Sequence, residues 1–492
     1  MNILIDTNIL IPLEDTARRL DPSLARMCRL SDANGHILYI HPSQQDDIQR
    51  DRNEQRRGIV LSRLQQYQTI PSPPQLTDAD LQQYGWRQEN DNDRIDNLLL
   101  HALCRGAVHF LVTNDKGIHK KARQAQVQEQ VHHLDQFLAF LDSQVGEEPP
   151  PPFGIQDRYL HEFSVHQPFF DSLREGYEGF NEWYLRAAQA QRKAWCISNN
   201  QTVQAICIYK QEEKPLIVDG GATLDGDALK LCTFKIGRDV RGRKLGERIL
   251  YTAFKYAVEH VIPYVYLHTF GEEQEMLVSL CEDYGFQCVG TYSGRDQVYL
   301  KKMRPPDRQS LDVNMLEFAI EYYPHYLDDN EVDKYIVPIQ PQYHNDLFAD
   351  ISDVASSLFA NDPSMYGPQS NTIKKAYLCH SKIGNIEPGS LLLFYRTHDR
   401  KSIECVGVVE QIYRGKDVEQ VLPLVSKRTV YSKNEIEDRL KKETLVILFR
   451  LMQVFPPVTF DVLASAGVKH PIQTIRKITH EQYVHLFNQG II

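Results

Sequence analysis

The stretch LKLCTFKIGRDVRGRKLGERILYTAFKYA, from Leu229 to Ala257, specifies how the middle of this chain folds. Its first part, Leu229 to Ile236, predicts a β-strand. Apolar residues then recur at the spacing of a helix face: Leu245, Ile249, Leu250, Ala253 and Phe254. The loop between them, RDVRGRKLG, is basic and leads into the helix N-terminus, where free backbone N–H groups and the helix dipole favour a phosphate. A basic surface turn before an ordinary helix is the alternative.

The residues that follow continue the pattern. YVYLHTFGEEQEMLVSLCEDYGFQCVGTY, from Tyr264 to Tyr292, predicts a strand, a helix, a Gly-Phe turn and a second strand. In this order the region resembles the GNAT family of N-acetyltransferases. Arg241 and Gly246 match the ends of that family's pyrophosphate loop, and Lys244 stands where its middle glycine is usual. The resemblance implies a mixed-sheet α/β domain that binds acetyl-CoA.

The same resemblance implies where the cofactor lies. Its pantetheine would pair with the backbone of the strand that ends at Ile236. The expected cofactor-binding residues are Thr233, Phe234, Ile236, Arg241, Gly242, Arg243, Lys244, Leu245 and Gly246. Family members often carry a tyrosine four residues before the glycine of the Gly-Phe turn, as the acid that protonates the departing thiolate, and here that position is Cys281. A buried structural cysteine is the favoured interpretation, and Tyr251, Tyr284 and Tyr292 are alternatives, so the acid is unassigned.

The chain opens with MNILIDTNIL, in which the apolar run Ile3 to Ile5 predicts a strand covered on both faces of a parallel sheet. Asp6 follows that strand directly. VHFLVTND repeats the arrangement, with Asp115 just past an apolar strand. The carboxyl edge of an open α/β sheet is where such folds place their chemistry. The alternative is that Asp6 only caps the helix that follows.

Two further acids complete a candidate set. Asp47, or its neighbour Asp46, comes after a second apolar run, and Asp96, or Asp93 one turn away, lies on a predicted helix. Carboxylates gathered in one cleft repel one another unless cations enter it. Their hard oxygen ligands suit Mg²⁺ or Mn²⁺. Four unrelated surface or capping aspartates are the alternative.

These acids and their strand contexts resemble a PIN-domain nuclease over about the first 145 residues. The resemblance implies a parallel-sheet α/β/α domain. It also implies that four residues are the metal ligands and catalytic residues of a ribonuclease: Asp6, Asp47, Asp96 and Asp115. In that fold Thr7 and Asn8 would hold the Asp6 loop by hydrogen bonding, and Asn114 would do the same for Asp115.

The last part of the chain is β in character between Lys382 and Arg414, with a Pro-Gly turn and two apolar strands. It resembles the PUA-like superfamily, in particular its ASCH and EVE branch, which implies a small β-barrel with helices that binds RNA. Just before it, SMYGPQSNTIKKAYLCHS suggests a loop and a helix carrying Lys374 and Lys375. A basic helix beside a barrel contacts RNA phosphates. A solvated basic face is the alternative.

The length and the linkers predict a multidomain protein with α/β and α+β domains, because a chain of 492 residues is longer than one hydrophobic core can accommodate. The proline-rich segment 146–152 and the polar join 301–312 divide the chain. The predicted domains are therefore 1–145, 153–303 and 310–492.

Composition narrows the class of protein. The net charge of -10 argues against a uniformly basic nucleic-acid coat. The nine cysteines are scattered without a CxxC pair, which is typical of reduced thiols. No apolar stretch reaches the ~18 residues that span a bilayer, and there is no signal-peptide pattern. We expect a soluble, cytoplasmic protein.

The three resemblances together predict an RNA-acting enzyme. It would combine a metal-dependent ribonuclease with an acetyl-CoA-dependent N-acetyltransferase, act on tRNA, and belong to a toxin or defence setting. The main alternative is a protein or small-molecule N-acetyltransferase whose outer domains are regulatory or scaffold modules. A non-catalytic binding assembly is the third. A homodimer is the expected assembly.

Overall fold

The structure is a computed structural model that describes residues 1–15, 20–144, 154–199, 202–237, 240–241, 244–269, 274–306, 314–348, 373–425, 428, 430–431 and 433–487. The chain forms two compact units. The first comprises 1–149, 416–427 and 431–441, and the second comprises 150–415, 428–430 and 442–492. The predicted middle domain and most of the predicted C-terminal domain thus fall in one compact unit, while 416–427 and 431–441 fall in the first. The predicted proline-rich linker lies outside the described residues.

Within the described residues, the first unit contains one sheet of five parallel strands, in the order β3-β2-β1-β4-β5. The strands are β1 (Asn2–Ile5), β2 (Ile37–Ile40), β3 (Gln68–Thr69), β4 (Phe110–Val112) and β5 (Val131–His132). Its early helices are α1 (Thr7–Glu14), α2 (Pro22–Ala33), α3 (Gln44–Gln49), α4 (Glu54–Arg63), α5 (Asp78–Tyr84), α6 (Asp91–Cys104), α7 (Lys116–Gln124) and α8 (Leu134–Gln144).

The central strand β1 is covered on both faces, as its apolar run predicts. Ile3 and Ile5 pack in one apolar cluster and Leu4 packs in another. From β1 the chain builds β2 and β3 on one side and then returns to build β4 and β5 on the other. The strand order therefore reverses between β1 and β4, and a crevice opens at the carboxyl ends of these two strands.

In the described part of the second unit, one mixed sheet has seven strands in the order β11-β12-β10-β9-β8-β7-β6. The strands are β6 (Gln156–Tyr159), β7 (Lys193–Asn199), β8 (Thr202–Glu212), β9 (Ala228–Ile236), β10 (Tyr264–Thr269), β11 (Gln287–Tyr292) and β12 (Asp296–Lys302). Its helices are α9 (Asp171–Gly176), α10 (Phe180–Gln189), α11 (Leu245–Glu259) and α12 (Glu275–Asp283). The strand and helix predicted from Leu229 to Ala257 are confirmed as β9 and α11.

The other sheet of this unit has six strands among the described residues between 334 and 478, in the order β14-β17-β16-β15-β13-β18. The strands are β13 (Lys334–Ile339), β14 (Lys374–Cys379), β15 (Leu391–Arg396), β16 (Ser402–Gly415), β17 (Thr444–Val458) and β18 (Arg476–Ile478). The helices of this part of the chain are α13 (Met315–Glu321), α14 (Pro341–Leu347), α15 (Val418–Val425), α16 (Lys433–Leu440), α17 (Phe460–Ser465) and α18 (His480–Phe487). Of these, α15 and α16 belong to the first unit.

The two sheets of the second unit share one hydrophobic core. A single cluster of buried residues includes Phe254 on α11, Ile336 on β13 and Leu391 on β15. The rings of Phe254 and Tyr323 lie 5.6 Å apart between centroids. The buried ammonium of Lys301 donates hydrogen bonds to two backbone oxygens at the end of α13, at 3.0 and 2.7 Å. Apolar surface of both sheets is therefore buried in common, in addition to the buried clusters that each sheet has of its own.

The Gly-Phe turn at Gly285 packs closely against the backbone of α13. Gly285 has a φ of +81°, and a Cβ there would lie 2.2 Å from the carbonyl oxygen of Ile320.

We expect Gly285→Ala to lower the free energy of unfolding by about 3 kcal/mol or more. The backbone at Ile320 would have to move away from the new Cβ, and the alanine would have to adopt a strained positive φ. Gly294→Ala is the matched control, since its φ is +71° with open space around it. That change should cost about 1 kcal/mol. Equal losses in urea titrations would contradict the close packing.

Candidate functional site

The parallel strands β9 and β10 separate part-way along their length. They pair from Ala228 with Tyr264 to Leu231 with Leu267, and among the described residues no pair joins them further on. β9 then continues to Ile236 along β8 alone. The backbone groups on the β10 side of this segment are therefore not used in the sheet, and they line an opening that we call the fork.

The fork leads towards the N-terminus of α11. Lys244 precedes the helix with a left-handed φ of 56°, and Leu245 and Gly246 form its first turn. The N–H groups of a first turn have no acceptor inside the helix. Arg241 is exposed in the loop before it, and the predicted loop residues Gly242 and Arg243 lie outside the described residues. The predicted strand residues fall on the segment of β9 beyond the fork: Thr233, Phe234 and Ile236.

Gly246 has a packing role that the motif does not reveal. A Cβ at this position would lie 2.8 Å from the Cδ2 atom of Leu280. The glycine therefore allows α11 to approach α12. A substitution at Gly246 would disturb this helix contact as well as the loop, so it cannot isolate phosphate binding.

The candidate acids of the transfer reaction differ in accessibility. Cys281 is fully buried in the shared core, and burial raises the pKa of its thiol. Tyr284 is also buried, and burial raises the pKa of its hydroxyl. Tyr292 on β11 is 37% exposed, and Tyr251 on α11 is half-buried. The structure agrees with a structural cysteine at position 281.

A pocket of about 500 Å³ lies beside β10 and contains functional side chains that the sequence patterns did not single out. Lys210 lies 2.8 Å from the carboxylate of Glu212, which also accepts a hydrogen bond from the hydroxyl of Tyr266. The ammonium of Lys230 lies 5.4 Å from the ring centroid of Tyr266 and 5.8 Å from that of Tyr292. The alternation of Tyr264, Tyr266 and His268 along one face of a strand was the signal available in the sequence.

In the first unit Asp6 is buried at the crevice. Its Oδ1 accepts a hydrogen bond from the amide of Thr7 at 2.6 Å, and its Oδ2 accepts one from the hydroxyl of Thr113 at 2.6 Å. Burial is the main cause that raises the pKa of Asp6 to about 7, with smaller contributions from the charges of Asp96 and Asp115 in the same direction and from these hydrogen bonds in the opposite one. Asp6 therefore caps α1 and also belongs to a set of interacting acids.

Asp115 and Asp96 complete that set. The amide of Asp115 donates to the Thr113 hydroxyl at 2.9 Å, and its Oδ1 accepts from the amide of Ile118 at 3.0 Å. A Cβ on Gly117 would lie 3.0 Å from an oxygen of Asp115 and 3.8 Å from an oxygen of Asp96, so it would stand between the two carboxylates. Burial raises the pKa of Asp96 to about 6.

The predicted hydrogen bonds around these acids are present. Thr7 donates its amide to Asp6, and the side-chain amide of Asn8 donates to the Thr113 hydroxyl at 3.1 Å. The amide of Asn114 donates to Oδ1 of Asn8 at 3.2 Å. The loops after β1 and β4 are therefore held to each other. The Thr113 hydroxyl, which contacts Asp6, Asn8 and Asp115, is central to this arrangement.

The structure does not bring Asp47 into the set. A guanidinium nitrogen of Arg50 lies 2.8 Å from its carboxylate, while Asp46 lies 3.4 Å from Arg94. Lys121 supplies a positive charge to the cluster, because its ammonium lies 3.5 Å from Asp96 and 3.0 Å from Asp93.

The donor set of the first unit does not fit a divalent metal ion as arranged. Over the ranges that the structure describes, no group of three or more His, Cys, Asp or Glu side chains is placed to hold a metal ion. Both oxygens of Asp6 already accept hydrogen bonds, and an ammonium group lies beside Asp96. The predicted Mg²⁺ or Mn²⁺ site is thus not formed by Asp6, Asp47, Asp96 and Asp115 in this conformation.

The helix predicted for Lys374 and Lys375 is wrong, because both residues lie on strand β14. Lys375 is fully buried, with its ammonium 5.8 Å from the ring centroid of Phe348. The ammonium of Lys374 lies 3.1 Å from the carboxylate of Asp283, and its backbone amide donates to Glu247 at 3.1 Å. Because strand neighbours and this ion pair take up both side chains, neither ammonium faces solvent as an RNA contact requires.

No family model and no curated protein matches this chain. Among solved structures, the chain is similar to ASCH from Zymomonas mobilis, with 16% identity over 32% of this chain and 94% of that one and a TM-score of 0.24. It is also similar to the paia N-acetyltransferase from Thermoplasma acidophilum in complex with coenzyme A, with 14% identity over 30% and 99% of the two chains and a TM-score of 0.23. A putative GNAT-family acetyltransferase from Desulfovibrio desulfuricans shows 10% identity over 30% and 99%, with a TM-score of 0.22.

No helix in the described part of the chain is long and apolar enough to cross a membrane.

The raised pKa values of Asp6 and Asp96 predict how stability depends on pH. Between about pH 4 and 7 the folded state keeps protons that the unfolded state has released, so the first unit should lose stability as pH rises through this window. Asp6→Asn should flatten that dependence. Hydrogen–deuterium exchange of peptides that cover β1 and β4 measures it, and Asp91→Asn, at an exposed carboxylate on α6, is the control. Parallel profiles for wild type and Asp6→Asn would show that Asp6 ionises normally.

Proposed function

We propose that the second unit is an acetyl-CoA-dependent N-acetyltransferase. The observation that carries this proposal is the fork, because β9 leaves its parallel neighbour after Leu231 and continues towards the N-terminus of α11. An extended ligand with amide groups can pair with the free backbone edge of β9 while its anionic end reaches the first turn of the helix. Pantetheine and pyrophosphate are joined in that order in coenzyme A.

Each part of the site has a matching task. Thr233 to Ile236 offer backbone groups to the pantetheine amides. The first-turn amides of α11, with the charges of Arg241 and Lys244, bind the pyrophosphate. Acetyl-CoA supplies an activated thioester when it is bound. The pocket beside β10 opens next to the fork, so it is the place for the acceptor.

An amine on a small molecule or a protein is the favoured acceptor. RNA as the acceptor depended on a basic surface at Lys374 and Lys375, and these side chains lie in buried or ion-paired positions. Transfer to RNA, including tRNA, is the second candidate. A homodimer stays a prediction.

The Lys244→Gly variant tests whether the ammonium of Lys244 contributes to binding of the pyrophosphate. Glycine keeps the left-handed backbone at this position and removes the ammonium. We expect acetyl-CoA affinity to fall by roughly 10- to 150-fold, because one charge-assisted phosphate contact is worth roughly 1.5–3 kcal/mol. Isothermal titration calorimetry measures it, with Lys255→Ala as the control for an exposed lysine near the other end of α11. If Lys244→Gly binds acetyl-CoA with unchanged affinity, Lys244 is not part of the phosphate site. If the wild-type protein does not bind acetyl-CoA, the proposed acetyltransferase function is refuted.

A second candidate function belongs to the first unit, which we propose to cleave RNA. It is supported by three acids, Asp6, Asp96 and Asp115, that interact at the strand-order reversal. A divalent ion could enter only if the Lys121 ammonium moved away from Asp96, since the two cations would compete for one carboxylate.

This candidate is tested by incubating purified protein and cellular RNA with Mn²⁺ or with a chelator. We expect Mn²⁺-dependent cleavage that Asp115→Asn reduces by about 100-fold or more, because the variant removes one of the three interacting carboxylates that would have to bind the ion. Asp91→Asn should cleave like wild type. Equal cleavage by the Asp115→Asn variant on denaturing gels would show that the acids do not carry the reaction.

A further inference from the structure

His268 stands at the fork itself. Leu267 is the last residue of β10 that pairs with β9, and His268 is the next residue, still paired to Val298 of β12 on its other side. The histidine is therefore held firmly by the sheet at the point where β9 moves away. The side chain of His268 lies between the fork, where we propose that the cofactor binds, and the pocket beside β10. It lines that pocket.

The half-buried imidazole of His268 lies beside two aromatic rings and has an unused nitrogen. Its ring centroid lies 4.7 Å from that of Tyr292 and 5.6 Å from that of Tyr266. Its Nε2 atom is shielded from solvent and has no hydrogen-bond partner among the described residues. A buried polar atom left without a partner costs stability, so its retention calls for a ligand or a reaction that uses it.

Burial favours the neutral form of this imidazole. It is the main cause that lowers the pKa of His268 to about 4, with a smaller contribution from the positive charge of Lys230 in the same direction and from the Glu212 carboxylate in the opposite one. A neutral ring can present a lone pair on one nitrogen. Glu212 is itself held by Lys210 and Tyr266 and is thus already engaged.

We propose that His268 is the catalytic base of acetyl transfer and that the pocket beside β10 takes a primary amine. This inference rests on the proposed acetyltransferase and deepens it. The pocket is lined by two lysines and two acids, Lys210, Lys230, Glu212 and Glu213, so a polar group is accommodated there. The two aromatic faces suit the carbon chain that carries the amine.

The amine nitrogen attacks the thioester carbonyl carbon, so that a C–N bond forms. The nitrogen becomes acidic as it gains positive charge, and its proton passes to Nε2 of His268. The C–S bond then breaks, and its electron pair leaves with sulfur, which takes a proton from water. The imidazolium returns its proton to solvent.

The first experiment needs no knowledge of the acceptor. Histidine-labelled protein is saturated with acetyl-CoA or with CoA, and the His268 ring signal is assigned by its loss in His268→Gln. We expect the signal to differ between the two complexes, because only acetyl-CoA places an acyl group beside the ring. Identical His268 signals, with calorimetry showing that both ligands bind, would overturn the role of His268 and leave the acetyltransferase standing. Binding of neither ligand would overturn both.

The second experiment measures transfer to hydroxylamine, a small amine that is largely neutral at pH 7. His268→Gln should lower kcat by about 100-fold or more, the usual range for a lost general base, with KM for acetyl-CoA unchanged. His260→Gln is the matched control, because His260 is exposed at the far end of α11 and stacks on Tyr256 at 3.9 Å. A kcat for His268→Gln equal to that of the control would overturn the assignment.

Discussion

The divergence of β9 from β10 is the constraint on which the second unit depends. Parallel strands normally continue their ladder while both remain extended, yet this ladder stops after Leu231 and Leu267 although both strands run on. β8 holds one strand and β12 holds the other, so each keeps its position without its neighbour. The opening exposes backbone groups that must be satisfied by solvent or ligand. The groove that we propose for the cofactor, the pocket and His268 all lie at this one opening.

The candidate site of the first unit is formed by buried side chains, whereas that of the second unit is formed by exposed backbone groups. In the first unit, carboxylates are brought together where the strand order reverses, and burial makes their charged forms unfavourable. The Thr113 hydroxyl and the Lys121 ammonium offset part of this cost. Within this cluster the cation beside Asp96 is the ammonium of Lys121.

Much of this arrangement could be predicted from local sequence. The apolar run before Asp6 and the spacing from Leu245 to Phe254 predicted β1 and α11 correctly. The same reasoning failed for Lys374 and Lys375, because two adjacent lysines look like a solvated face unless one knows that neighbouring strands and an acid cover them. Asp47 was chosen by its position after a strand, whereas a contact with Arg50 determines where its carboxylate points.

The sequence by itself determined the elements and the residues that end them, since side-chain periodicity and capping depend on neighbours within one turn or one pleat. It thereby marked Asp6, Asp115 and the basic loop before α11. Only the tertiary structure decided which ladder stops short, which acids meet and which polar atoms lose solvent. Those outcomes depend on packing between segments far apart in the chain. No local pattern records where β9 and β10 part, and that separation is what places His268 beside an open groove.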